Sequence, residues 1–138
     1  MKKIPNSEDS LVLRTDFSDD LAWERLCANI QKPLGEFQAY VNFLSDPEYE
    51  GITVEELIKI VPENSNHTFI FIVDKVAISH PEHPILVVDF YDEPGRAFRV
   101  IPSQMCSVEN NLSIANMDFY EFADDVDEDG IFRDFSDT

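Results

Sequence analysis

The sequence predicts an α/β fold: a β-α-β-α-β start with a mostly parallel central sheet, an antiparallel C-terminal hairpin over Ile85–Ile101, and one or two C-terminal helices. Three observations carry that prediction. Short β-type runs alternate with helical apolar spacing through the first half of the chain. TFIFIVD, from Thr68, is a continuous β-branched and aromatic run, as a central strand covered on both faces requires. ILVVDFY, DEPG and RAFRVI then read as strand, turn and strand, with Pro94 and Gly95 suited to the two central turn positions.

The elements follow in order. Residues 1–10 are polar, contain Pro5 and are expected to be a flexible tail, leaving 11–138 as a single domain. LVLRTDF, from Leu11, is a first strand, and Ser18 can cap a helix whose first turn holds Asp19 and Asp20, where the dipole favours anions. Trp23, Leu26, Cys27 and Ile30 fall on one face of that helix, and Pro33 and Gly35 close it. From Phe37 to Phe43 apolar Phe37, Ala39, Val41 and Phe43 alternate with polar Gln38 and Asn42, the pattern of a second strand. TVEE, from Thr53, is a capping box, and Val54, Leu57, Ile58 and Val61 give a short helix that Pro62 stops. HPEHP is expected to be an extended loop, because residues before proline are pushed out of helical conformation. After the hairpin, Val108, Leu112, Ala115, Phe119, Phe122 and Val126 hold one apolar stripe. Asp118 with Glu121 makes a second start signal, so two helices with a break near Asn116 are expected.

Composition narrows the function classes. In 138 residues, 28 acidic side chains face ten basic ones, a formal net charge of -18. Nucleic-acid backbones and anionic membranes are bound through Lys and Arg, so direct binding to either is disfavoured. The charge is concentrated after Asp118, where Arg133 is the only base, and a basic partner would be steered there. MKKIPNSEDS has no apolar stretch of a signal peptide, and Cys27 and Cys106 are far apart in apolar surroundings. Reduced thiols in a cytoplasmic protein are the expectation.

Four constellations could carry chemistry. DDVDEDG sets Asp125, Asp127 and Asp129 at the first, third and fifth positions of a calcium loop with Gly130 at the sixth, but the twelfth position is Ser136 where a bidentate Glu is needed. Carboxylates in a last helical turn also oppose the dipole, so either the helix ends before Asp124 or a positive group sits there. Asp16, Asp74 and Asp89 lie at or near the ends of the first, third and fourth strands and could share a crevice that holds Mg²⁺, with Lys75 nearby. His80 and His83, with distant His67, are too few for a zinc site. Arg96, Arg99, Asn110, Asn111, Asn116, Glu121 and Asp124 are the candidates for a partner or ligand surface. No cofactor is called for; Mg²⁺ and Ca²⁺ are the ions these carboxylates would take.

LVLRTDFSDDLAW, HPEHPILVVDFYDEPGRAFRVIPS and SVENNLSIANMDFYEFADDVDEDGIF resemble a bacterial family of small proteins carrying a domain of unknown function. The resemblance runs from Leu11 to Phe135 and implies a complete single-domain bacterial protein, with no activity or site residues to transfer. With no nucleophile-base motif or glycine-rich phosphate loop to indicate an enzyme, the expectation is an acidic interaction domain that engages a basic protein partner, in the manner of immunity proteins and antitoxins. The alternative is a metal-dependent enzyme or ligand binder built on the strand-end carboxylates.

Overall fold

The computed structural model describes residues 2–33, 35–36 and 38–135. One six-stranded mixed sheet organises the chain, with strand order β2-β1-β3-β4-β5-β6. β1 (Ser10–Arg14) pairs in parallel with β2 (Val41–Leu44) on one side and β3 (Phe69–Val73) on the other. β4 (Ile85–Asp89) runs antiparallel to both β3 and β5 (Ala97–Val100), and the two-residue β6 (Ile131–Phe132) lies parallel to β5.

The helices cover both faces. α1 (Asp20–Gln31) joins β1 to β2, and α2 (Val54–Ile60) crosses back over β1 to β3. The crossovers run in opposite directions, so crossovers of one hand must put their helices on opposite faces, and they do. Trp23, Leu26 and Ile30 of α1 pack on Val12, Phe69, Phe71 and Val73, whereas Leu57 of α2 packs on Leu11, Leu13, Ile70 and Ile72. Every residue of β3 is buried because its neighbours alternate between these two cores. α3 (Lys75–Ser79), α4 (Met105–Ser113) and α5 (Phe119–Ala123) complete the first face.

Phenylalanine does much of the packing there. Phe98 meets Phe119 at 5.0 Å, Phe122 meets Phe132 at 5.2 Å, and Phe135 closes on Phe132 at 5.0 Å. Edge-to-face pairs of this kind add about 0.5–1.5 kcal/mol each beyond area burial, which is enough to seat a two-residue strand. Among the described residues no helix is long and apolar enough to cross a membrane.

Several expectations need correction. The N-terminal segment is docked: Ile4 is 1% exposed, its amide donates to the Ile60 carbonyl at 2.9 Å, and Asn66 binds Asn6 and Ser7. One apolar residue among polar ones was enough to anchor it over α2. Asp19, not Ser18, caps α1, accepting from the Ala22 amide, while the Ser18 hydroxyl donates to Asp16. The strand expected from Phe37 begins at Val41, and Phe37 lies outside the described residues. α3 and β6 were not foreseen; Asp74 caps the first and a glycine turn leads into the second. HPEHP is not extended throughout, because His83 has φ of +50° despite preceding Pro84.

The two C-terminal helices and the break between them are as expected. Ala115 takes a left-handed φ of +55° at the C′ position of α4, the Asn116 amide bonds the Asn111 carbonyl, and the Ala115 amide bonds that of Leu112. That is a Schellman ending, and it interrupts the apolar stripe at Ala115.

Candidate functional site

The direction of β4 decides the fate of the strand-end carboxylates. Asp89 ends β4 opposite Phe69, the first residue of β3, whereas Asp74 follows the last. Five residues of strand separate them, roughly 16 Å at about 3.3 Å per residue. Asp89 therefore sits at the opposite sheet edge from Asp16 and Asp74, and the three cannot share an ion. Asp74 is also occupied: it caps α3 through the Ala77 amide and takes both Arg99 Nη1 and Nη2, at 3.0 and 2.7 Å. Among the described residues no group of three His, Cys, Asp or Glu is arranged to hold a metal ion.

The calcium geometry fails for a second physical reason. Arg133 reaches Asp127 at 2.6 Å and Asp129 at 2.7 Å, while its other edge holds Glu82 through two bonds of 2.8 Å. The cation that the acidic run needs is thus a side chain of the protein. α5 also stops at Ala123, and Arg96 pairs with Asp124, so both remedies for the unfavourable dipole are used. Ser136 lies outside the described residues.

The histidines do not converge. His80 Nδ1 accepts from the Glu82 amide, His83 Nδ1 donates to the Ala77 carbonyl, and buried His67 bonds the Pro5 carbonyl. The amides are spent locally: Asn110 donates to the Gln38 carbonyl, Asn111 to that of Ser107, and Asn116 to Asn111 Oδ1.

What the structure does assemble lies at the far edge, around Asp89. Its Oδ1 accepts from the Tyr91 amide at 3.0 Å and its Oδ2 from Glu93 at 2.8 Å, so one buried carboxylate folds the whole DFYDEPGR loop. Gly95, at φ of +95°, supplies the left-handed position of the Glu93–Arg96 turn after Pro94. The loop thereby turns Tyr91 outward, 74% exposed. Across from it, the capping box of Asp118 and Glu121 opens α5 and turns Tyr120 outward, 51% exposed.

Between these tyrosines runs an acidic groove. A cavity of about 450 Å³ is lined by Asp89, Asp92, Glu93, Arg96, Asp118, Phe119, Tyr120 and Asp124. A second, of about 370 Å³, shares Asp89, Asp92, Asp118 and Phe119 and extends past Tyr91 to Leu112 and Met117. Arg96 neutralises Glu93 and Asp124 in the wall, and Asp92 makes no hydrogen bond or ion pair among the described residues. Of the expected partner surface, Arg96 and Asp124 line this groove and Glu121 belongs to the capping box beside it. Arg99 is committed to Asp74, and Asn110 is tied to Gln38.

The sequence held a signal that pattern reading passed over. Residues of two similar tetrads, Asp89-Phe90-Tyr91-Asp92 and Asp118-Phe119-Tyr120-Glu121, which share Asp-Phe-Tyr and an acidic fourth position, line the groove. In each the aspartate organises backbone amides, the phenylalanine packs inward and the tyrosine faces solvent. Buried Glu109 was also missed, although it falls among Met105, Val108 and Leu112 on the covered face of α4. It accepts from the Ser10 hydroxyl and the Tyr40 amide, both at 2.9 Å, and so ties α4 to the sheet.

Residues 9–135 match a family model described as Domain of unknown function (DUF6924). No curated protein matches the sequence.

Proposed function

We propose that this chain, which belongs to the DUF6924 family, is an interaction domain whose acidic groove receives a basic segment of a partner protein. The observation that carries this reading is the pair of exposed tyrosines, Tyr91 and Tyr120, beside a groove lined by Asp92 and Asp118. Tyrosines supply rigid contact area at low entropic cost and are enriched in interface hot spots. An arginine or lysine held over a tyrosine face gains about 0.5–2 kcal/mol, depending on its desolvation. The net charge of -18 steers such a partner toward the surface and speeds encounter. Masking the basic, phosphate-binding surface of a nuclease, as immunity proteins and antitoxins do, is the specific form of this role that the charge favours.

Calorimetric titration with arginine-containing nonapeptides tests it. Binding is expected at low salt, to weaken as salt rises, and to weaken about tenfold further in a Tyr91→Ala, Tyr120→Ala double variant, a change of about 1.4 kcal/mol. Equal affinity of the variant and the unaltered protein would mean that charge acts without this groove, and no binding at low salt would refute the reading.

A further inference from the structure

An open sheet has two edges, and the chain treats these two differently. At the β6 edge the Gly130 and Phe132 carbonyls face β5, accepting from the Arg99 and Ile101 amides, so the backbone groups that point outward are those of Ile131. Both are taken by the chain itself. The Ile131 amide donates to Asp129 Oδ1 at 3.3 Å, and its carbonyl accepts from the Asp127 amide at 2.9 Å.

The β2 edge is open. The Ser10 amide donates to the Tyr40 carbonyl at 3.1 Å, and with Ser10 in register with Val41 the parallel ladder turns the Tyr40 carbonyl and both backbone groups of Asn42 toward β1. The amides and carbonyls of Val41 and Phe43 therefore point away from the sheet, and among the described residues they meet no hydrogen-bond partner. β2 is also the only strand of the six without a buried residue. Val41, Phe43 and Leu44 touch the two cores but stay half-buried, and Tyr40 is 60% exposed. Apart from being short, the edge has none of the usual protections: no proline and no charged residue falls between Gln38 and Ser45.

We propose that this edge is a homodimer interface, at which β2 pairs antiparallel with β2 of a second copy across a two-fold axis at Asn42. The ladder dictates that register, because a hydrogen-bonded pair needs two residues with outward backbone groups, and an axis at Asn42 sets Val41 of each copy opposite Phe43 of the other. Each such pair exchanges both N–H···O bonds. It also puts a β-branched side chain against an aromatic one, a favourable cross-strand combination. On the other face of the sheet Tyr40 meets Leu44 of the second copy. Charge selects the occupant: a basic segment would gain nothing from an edge without carboxylates, whereas two copies that each carry a charge of -18 meet at least cost where charge is absent.

Sedimentation equilibrium of the full chain between about 1 μM and about 1 mM tests the proposal. The mass should rise with concentration from 15.9 kDa toward twice that value. Association should tighten as sodium chloride goes from about 20 mM to about 500 mM, the opposite of a basic peptide's behaviour, because salt screens the like charges of the two copies. Val41→Pro removes an outward amide and leaves those that hold β2 to β1, so it should weaken dimerisation about tenfold or more. Asn42→Glu alters an exposed side chain and should weaken it too, by setting like charges face to face on the axis. Asn42→Cys reads the register itself. Residues facing each other without hydrogen bonds in an antiparallel pair have Cα atoms about 4.5 Å apart, within reach of a disulfide. Mild oxidation should therefore give a covalent dimer of Asn42→Cys, and none of the unaltered chain or of Tyr40→Cys. A mass that stays at 15.9 kDa throughout, association that weakens with salt, a dimer as tight in Asn42→Glu as in the unaltered chain, or no cross-link through Asn42→Cys would each overturn it.

Discussion

Arg133 shows how one residue can reconcile an acidic segment with a folded state. Its guanidinium binds Glu82, Asp127 and Asp129 at once, joining the C-terminal strand to the loop before β4. Hydrogen bonds from Arg133 hold the carboxyls of Glu82 and Asp129 below the usual carboxylate range. Because their folded-state values are depressed, the stability they contribute is fully present above the unfolded value near pH ~4 and is lost as pH falls through the folded values. Arg133→Gln should therefore lower the melting midpoint at pH 7, and its deficit should shrink as the pH falls from about 5 to about 2. Thermal melts of both proteins across that range check this. A deficit that does not change with pH would mean that Arg133 acts through the packing of its stem. The same residue explains the resemblance of DDVDEDG to a calcium loop: the alternating carboxylates are there, but they converge on an internal cation.

At the scale of the element, the turn between α4 and α5 carries avoidable strain. Ala115 occupies the left-handed C′ position that glycine ordinarily fills, at a cost of about 1 kcal/mol for a residue with a Cβ. Ala115→Gly should raise stability by about 0.5–1 kcal/mol, read as a higher denaturant midpoint with an unchanged m-value. A lower midpoint would show that unfolded-state entropy outweighs the strain relieved. That turn also marks where sequence reading succeeded. The Thr53 capping box, the continuous run of β3, the Pro94-Gly95 turn and the Asp118 start signal are local chemistry, and each appears in the fold. What was not legible depends on partners distant in sequence. A two-residue β6 has no period to detect, and its burial comes from Phe122 and Phe135. The direction of β4 is invisible to side-chain alternation, so the placement of Asp89 with Asp74 followed from an assumed parallel sheet. The connection itself held a clue: the eleven residues between Val73 and Ile85 include HPEHP and fall short of the dozen or more a parallel crossover needs. The groove was missed for a related reason, since its two tyrosine tetrads are 29 positions apart, from Asp89 to Asp118, and meet only because α5 packs against β5.

For the molecule as a whole, the net charge of -18 acts on stability and on binding with opposite signs. Like charges repel, and compaction brings the 28 carboxylates closer together than the unfolded chain does. Ion pairs offset part of this: Arg14, Arg96, Arg99 and Arg133 each hold at least one carboxylate, yet acidic side chains outnumber basic ones 28 to ten. Self-repulsion therefore acts against the folded state, and it is long-ranged, so salt should screen it before it weakens the close pairs. Raising sodium chloride from about 20 mM to about 500 mM shortens the screening length from about 20 Å to about 4 Å, and the melting midpoint should rise by a few degrees. Over the same range the affinity of the groove for a basic peptide should fall, because there the long-range field is attractive. Parallel melts and titrations in one salt series measure both. A midpoint that falls with salt would place the balance with the ion pairs, and the acidic surplus would then carry no stability cost. If instead the midpoint rises while peptide affinity falls, the surplus costs folding stability and aids association, which is the balance expected of a surface that a basic partner covers.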